Sequence, residues 1–374
     1  MPDNLSQRLA NELLRHDIDM MRVAVSDEQE SEAAIAGLTS VLVSRLIRRD
    51  PTAVAKGFGQ DRLDKLISEI RTIIRDEYQR LYKLERAHLI EAGTAERVVI
   101  PHTVAVSMGV SRSTGLSLVK PVDGNPVREI IDQRVITANA NDAARMREFF
   151  EREAANHYRR AAGTLRQAFA QDETITQMIT RLKNLTEIQA RETASLVRTG
   201  YNHVINQLRI ETMQRNSHLF RGVIAITVLD GRTSKICISR SRGMWDLNTG
   251  RPLPESPVQM SFPGPTPWHI GERTQLYPLT RDVREVGRMG DSDVKRAISG
   301  LTKEQRELLS VNPPDDETYT QWLRRQSRDV QNQVLGPTRR KMWLNGELEL
   351  TDLVNQRGRP LTLEQLRKKG DNAA

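Results

Sequence analysis

The sequence predicts a mainly α chain with α+β elements. Through most of the first 216 residues, apolar side chains recur every three or four positions, the period of a helix buried on one side. That period breaks across residues 97–137, which are rich in β-branched residues, and again at Val223–Leu229, a short continuous run that reads as a buried strand. Hydrophobic residues make up only 38% of the 374, aromatics 4%, and mean hydropathy is −0.54. Such a composition suits extended helices whose burial comes partly from neighbours. Five regions follow: an N-terminal helical region (1–96), a small β-rich insertion (97–137), a long helical region (138–221), a compact strand/loop module (222–281) and a helical C-terminal tail (282–374). The length corresponds to two or three packing units.

Leu5, Leu9, Leu13 and Leu14 open the first helix. Ser26 with Gln29 has capping-box form and predicts a second helix carrying Ile35, Leu38, Leu42 and Leu46. Pro51 is expected to end it, and Gly57-Phe58-Gly59 reads as a loop. Leu63, Leu66, Ile67, Ile70, Ile74, Leu81 and Leu84 then predict one long amphipathic helix to about Ala92-Gly93. In the insertion, Val98-Val99-Ile100, Val104-Ala105-Val106 and Leu116–Val119 are β-prone, and Asp123-Gly124 is a turn signal. Helical spacing returns from Asn141 to Asn216, with Gly163, Asn184 and Gly200 as the expected weak points. His157, His203 and His218 lack a second His or Cys at helical spacing and are expected at surfaces or interfaces. In the tail, Thr302 with Gln305, Thr318 with Gln321, and Thr362 with Gln365 predict short capped helices, and Gly336, Gly346 and Gly370 suit helix ends. Pro313-Pro314-Asp315-Asp316 reads as a linker.

The formal net charge is +8, from 45 Arg and 11 Lys against 48 acids. Residues 1–137 are close to neutral, so the basic excess lies downstream. Arg suits planar, bidentate contact with phosphates and carboxylates, which makes a polyanion partner plausible. Basic points in the tail are Arg324-Arg325, Arg339-Arg340-Lys341 and Lys368-Lys369, expected to touch nucleic acid or an acidic partner. The single cysteine, Cys237, excludes an internal disulfide and a multi-cysteine zinc site. No secretory signal is expected at the polar N-terminus, and no run of about 18 apolar residues predicts a membrane span. Synthesis in a reducing cytoplasm is the expectation. Gly-rich phosphate loops, His-Glu-x-x-His and Gly-x-Ser-x-Gly do not occur.

The densest chemistry lies in Asp230–Leu279. It opens Asp230-Gly231-Arg232-Thr233-Ser234-Lys235-Ile236-Cys237, crosses a Gly- and Pro-rich loop, and closes Pro267-Trp268-His269-Ile270-Gly271-Glu272-Arg273-Thr274. Asp230 can pair with Arg232 or with Arg273, locking strand to loop. Cys237 and His269 fall near that lock if the two halves meet. Trp245 and Trp268 are expected to plug a small core. Asp-x-Arg-Thr-x-x-x-Cys followed by Pro-x-His-x-x-x-Arg resembles the phage Mu F-like minor head (head morphogenesis) protein family. The tail pattern Tyr319-x-x-Trp322-Leu323-x-x-Gln326, Val334-Leu335-Gly336-x-x-Arg339 and Leu361-Thr362-Leu363-x-x-Leu366 is similar to the same family. So is a helix ending in Arg198-Thr199 ahead of the strand. The resemblance covers roughly residues 190–370.

The resemblance implies a minor head protein of a tailed dsDNA phage, acting in head morphogenesis near the portal vertex and in DNA packaging or delivery. Implied partners are the portal protein, a major capsid or scaffolding protein, and packaged dsDNA bound without sequence preference. The implied location is the virion head near the portal, with the host cytoplasm during assembly. Asp230, Arg232, Thr233, Cys237, His269 and Arg273 then act as family-motif residues that hold the module, with no catalytic role, metal or cofactor expected. Family members commonly carry a second cysteine where this chain has Glu272; Cys237, His269 and Glu272 nevertheless remain three possible zinc ligands. The alternative is a hydrolytic or nucleic-acid-processing enzyme using Cys237, His269 and Asp230.

Overall fold

A computed structural model describes residues 4–48, 60–122, 126–135, 144–171, 173–314, 318–353 and 361–366. Helices dominate. Three of them set the frame: α1 (Leu5–Arg48), α2 (Gln60–Glu96), and, after α3 to α6, α7 (Ile175–Arg215). At 1.5 Å per residue, the 44-residue α1 runs about 66 Å.

Helix α1 corrects the expected break at Ser26. Its buried face runs Leu5, Leu9, Leu13, Asp17, Ala24, Glu28, Ile35, Leu38, Leu42, Leu46 without interruption. The apolar stripe fades in the middle because Asp17 and Glu28 occupy buried positions, each matched to an arginine of α7. Arg209 Nη2 reaches Asp17 Oδ1 at 2.6 Å, and Arg198 Nη2 reaches Glu28 Oε2 at 2.6 Å. Pro51 and Gly57-Phe58-Gly59 lie outside the described residues.

The described residues of 97–137 are not a β-rich insertion. They form α3 (Val99–Met108), α4 (Arg112–Leu118) and α5 (Val127–Ile131). Among the described residues there, the one strand, β1 (Arg134–Val135), pairs with β2 (Ala144–Arg145). Ile100, Val104 and Met108 recur at four-residue spacing and pack with Leu5 and Leu9. Burial on that face overrides the β-branched propensity of the segment. Gly109, at φ +63°, ends α3, and the Ser111 side chain caps α4 by accepting from Thr114 N. The Asp123-Gly124 turn lies outside the described residues.

Helix α6 (Met146–Ala170) follows, then α7. Gly163, Asn184 and Gly200 sit inside these helices; α6 ends at Ala170 and α7 begins at Ile175, where Thr174 and Gln177 form a capping box. Nor does α7 end at Arg198-Thr199; it continues to Arg215. His157 and His203 are core residues rather than surface ones, 1% and 3% exposed. Burial pushes the His157 imidazole down to about 4 and lowers that of His203, whose Nε2 lies 2.9 Å from the Ile130 carbonyl O. His218 is partly buried, with Nε2 2.8 Å from the Leu118 carbonyl O.

One end of the frame is a helical core. There Ile35–Leu46 of α1 and Leu63–Leu81 of α2 pack with α6 and the start of α7. At the other end stands an antiparallel three-stranded sheet. Its central strand is β3 (Phe220–Ile226), flanked by β4 (Met244–Asp246) and β5 (Gln275–Thr280). Val223 pairs with Trp245 on one side and Pro278 on the other. The strand thus lies a few residues before the predicted Val223–Leu229. A short helix, α8 (Lys235–Arg240), interrupts the predicted loop between β3 and β4. Gly243 has to be glycine, because a Cβ there would come within 2.2 Å of the Trp245 ring.

The tail is a chain of short helices: α9 (Val283–Met289), α10 (Ser292–Ser299), α11 (Lys303–Glu307), α12 (Tyr319–Arg324), α13 (Arg328–Leu335) and α14 (Pro337–Leu344). The Thr302/Gln305 and Thr318/Gln321 capping boxes form. Thr362 and Gln365 make the same reciprocal pair of hydrogen bonds. Gly336 and Gly346 adopt φ values of +82° and +79° after helix ends; Gly370 lies outside the described residues. No helix among them is long and apolar enough to cross a membrane.

Candidate functional site

The two halves of the Asp230–Leu279 motif meet. Asp230 follows β3 in a tight turn, and Arg273 stands two residues before β5, beside it. Their side chains form a bidentate pair, with Arg273 Nη1 2.7 Å from Asp230 Oδ2 and Nη2 2.7 Å from Oδ1. The Asp230 carboxylate also accepts Arg232 N–H at 2.9 Å and the Thr233 hydroxyl at 3.1 Å. The single Thr233 hydroxyl proton is shared between Asp230 and the Val228 carbonyl O, 2.6 Å from Oγ1. Of the two expected arginine partners, Arg273 makes the lock. The Arg232 guanidinium stays 3.8 Å away and 84% exposed.

Arg273 heads the causes that hold the Asp230 carboxyl down at about 2, below its ordinary 3.8. A depressed carboxylate stabilises the fold above its unfolded value and loses that contribution as pH falls through the folded one. The turn should therefore weaken between about pH 4 and pH 2. Acid titration of wild type and Asp230→Asn, followed by near-UV circular dichroism, checks this. The variant should be less stable at pH 7 and show a smaller acid-dependent loss over that window, since Asp291, also held at about 2, keeps its own contribution.

Cys237 lies in the first turn of α8, where the Ser234 side chain caps the helix by accepting from Cys237 N at 3.2 Å. Its Sγ is 3.1 Å from His269 Nε2 and 3.3 Å from Glu272 Oε1. Ser234 Oγ lies 2.8 Å from the same His269 nitrogen. The other Glu272 oxygen accepts the Trp268 N–H. Cys237 and Glu272 are 3% and 1% exposed. Burial pushes both acids up, and their mutual proximity raises the thiol further, well above its ordinary value. This is the reverse of what a nucleophilic thiolate needs. His269 turns Nδ1 to the Ile270 carbonyl O at 2.9 Å, while the Asp230 carboxylate is taken up by Arg273. The orienting acid of a Cys–His–Asp triad is therefore not assembled. The cleft over Cys237 and His269 measures only about 30 Å³.

Cys237, His269 and Glu272 are the residues of this module that could hold a metal, their donor atoms lying within 4.8 Å of one another. Sulfur, imidazole nitrogen and carboxylate oxygen form a zinc-compatible set of three. The same atoms also satisfy one another by hydrogen bonds, with Ser234 as the fourth member.

Sequence reasoning missed the residues of α7 that seat this loop. Thr199 Oγ1 accepts Gly271 N–H at 2.9 Å. Asn202 Nδ2 donates to the Glu272 and Thr274 carbonyl oxygens, and Asn206 Oδ1 accepts Leu276 N–H at 2.9 Å. Their spacing puts all three on one helix face, but polar side chains on a helix read as a solvated face. Arg240 was missed too. It is 1% exposed, sits 4.8 Å over the Trp268 ring centre, and leaves Nη1 without a hydrogen bond among the described residues. Trp245 and Trp268 plug the core beneath, edge to face at 6.4 Å.

The tail pattern packs against the motif. Tyr319 donates its hydroxyl to the Asp230 carbonyl O at 2.8 Å. Ile238 of α8 joins Tyr319, Leu323, Val334, Leu335 and Trp343 in one apolar cluster. Of the expected basic contact points, Arg324, Arg325 and Lys341 are exposed. Arg339 and Arg340 are instead tied into the tail, to the Leu361 carbonyl O at 3.0 Å and to Gln331 Oε1 at 2.8 Å. Lys368 and Lys369 lie outside the described residues. No family model, no curated protein and no solved structure matches the chain.

Proposed function

We propose that this chain is a minor head protein of a tailed dsDNA phage, acting in head morphogenesis near the portal vertex and in DNA packaging or delivery. The observation that carries the reading is the meeting of the two motif regions that resemble the Mu F-like family. Asp230 is gripped through its carboxylate by Arg273 and through its carbonyl by Tyr319, so residues far apart in sequence serve one structural unit. Asp230, Thr233, Cys237, His269 and Arg273 hold that unit, and Arg232 faces solvent from it. Long α1 and α7 suit a subunit that docks on others. Leu14, Ile18, Met21 and Val25 leave one stripe of α1 exposed, between 38% and 46% each, which this reading assigns to the portal protein. Arg324, Arg325 and Lys341 are assigned to packaged dsDNA or an acidic capsid or scaffolding surface. The alternative enzyme reading draws on the 3.1 Å Cys237–His269 contact, but burial and the Glu272 carboxyl keep that thiol protonated.

Co-expression with the portal protein tests the assignment. Wild type should co-purify with the portal, and Ile18→Glu/Met21→Glu should not. Retention of duplex DNA should fall steeply with salt. Lys341→Glu should lower the log–log salt slope by about one. Failure to bind portal, capsid protein or DNA at low salt would remove this reading.

A further inference from the structure

A second cluster of donor side chains lies between α1 and α2, built from residues the motif does not include. Asp27 and Glu30 come from α1 and His88 from α2, and one donor atom from each lies within 4.8 Å of the others. His88 Nδ1 is 3.0 Å from Asp27 Oδ2, yet this buried nitrogen makes no aligned hydrogen bond among the described residues. Two atoms facing each other at that distance without hydrogen-bond alignment are placed like two ligands of one ion. Ligands at 2.0–2.1 Å around a tetrahedral cation lie about 3.3 Å apart. The Tyr201 hydroxyl of α7 donates to Asp27 Oδ2 and fixes that carboxylate, as groups behind metal ligands do.

Glu85 supplies an independent observation. It stands one helical turn before His88 on the same face of α2, is 3% exposed, and has Oε1 buried without a hydrogen-bond partner among the described residues. An unmatched buried carboxyl calls for a proton or a cation. The nearby acids outnumber the nearby bases: Asp27, Glu28, Glu30 and Glu85 gather here, Arg198 is engaged by Glu28 at 2.6 and 2.9 Å, and Arg80, which feels Glu30, is engaged by Glu77 at 2.7 Å.

We propose that Asp27, Glu30 and His88 form a site for a first-row divalent cation between α1 and α2, with Glu85 as the buried acid behind it. One imidazole with two carboxylates suits Zn²⁺ or Mn²⁺ better than Ca²⁺ or Mg²⁺, which prefer all-oxygen shells. The ion clamps α1 to α2 at the middle of the frame, where the apolar seam of α1 gives way to polar residues. The proposal does not depend on the head-protein reading.

The test is equilibrium dialysis of chelator-stripped, full-length protein against Zn²⁺ and Mn²⁺, with bound metal counted by mass spectrometry. A Cys237→Ser background removes the thiol of the module cluster. That variant should still bind one equivalent. Adding Glu30→Gln or His88→Ala should weaken binding by about tenfold or more. Glu30 is exposed, so its replacement leaves the fold intact and keeps the test interpretable if His88→Ala misfolds. Metal binding absent from Cys237→Ser, or binding there undiminished by Glu30→Gln, would overturn the proposal.

Discussion

Replacing Arg209 with methionine should destabilise the protein by about 3–5 kcal/mol, because it strands two buried acids. Arg209 is 1% exposed. Its Nη2 lies 2.6 Å from Asp17 Oδ1 and its Nε 2.7 Å from Glu96 Oε1. Tyr277 donates to Asp17 Oδ2 at 2.7 Å, and His16 Nε2 sits 2.7 Å from the second Glu96 oxygen. The network joins α1, α2, α7 and β5. Burial alone would raise the Glu96 carboxyl, but Arg209 and His16 outweigh it and hold Glu96 below its ordinary value. Without the guanidinium, both carboxyls must take up protons or drag in water. Urea unfolding at pH 7 measures the loss. A triple replacement of Arg209, Asp17 and Glu96 by apolar residues should recover much of it, since the desolvation cost leaves with the charges. A loss below about 1 kcal/mol for Arg209→Met would mean that the network is not closed as described.

The second large effect is expected at Trp245. This side chain is 0% exposed on β4, packs at 5.4 Å from the Phe262 ring and 6.4 Å from that of Trp268, and donates Nε1–H to the Met260 carbonyl O at 2.8 Å. Trp245→Ala should cost about 3–5 kcal/mol, the range for emptying a buried aromatic site. Trp322→Ala, at a partly buried position of α12, should cost clearly less. Equal losses in the two variants, read from denaturant midpoints at constant slope, would contradict the assignment of Trp245 as the plug of the module.

The sequence made some of this architecture legible and hid the rest for physical reasons. Helix α2 was readable because its buried positions from Leu63 to Leu81 are apolar or aromatic, although Glu85 and Glu96 further along are buried too. Helix α1 appeared as two helices because Ser26 with Gln29 has capping-box form; the helix runs on through them, and only the structure supplies Arg209 and Arg198 as partners of the buried Asp17 and Glu28. The α3 segment carries Val98, Val99, Ile100, Val104 and Val106, whose local preference points to strand. The four-residue spacing of Ile100, Val104 and Met108 was the better signal, with Pro101 acceptable in a first helical turn. In the module, Asp230, Arg273, Cys237, His269 and Glu272 were legible because few residue types can perform such pairing in a Gly- and Pro-rich loop. Thr199, Asn202 and Asn206 were not, because their hydrogen bonds run to backbone atoms about seventy residues away.

The measurement that tests the head-protein account most directly is the quantitative protein composition of purified particles, with and without internal DNA. The account predicts a few copies of this chain per particle, co-purifying with the portal protein. Absence from particles, with the chain present in infected-cell lysate, would contradict it and turn attention to the Cys237–His269 pair.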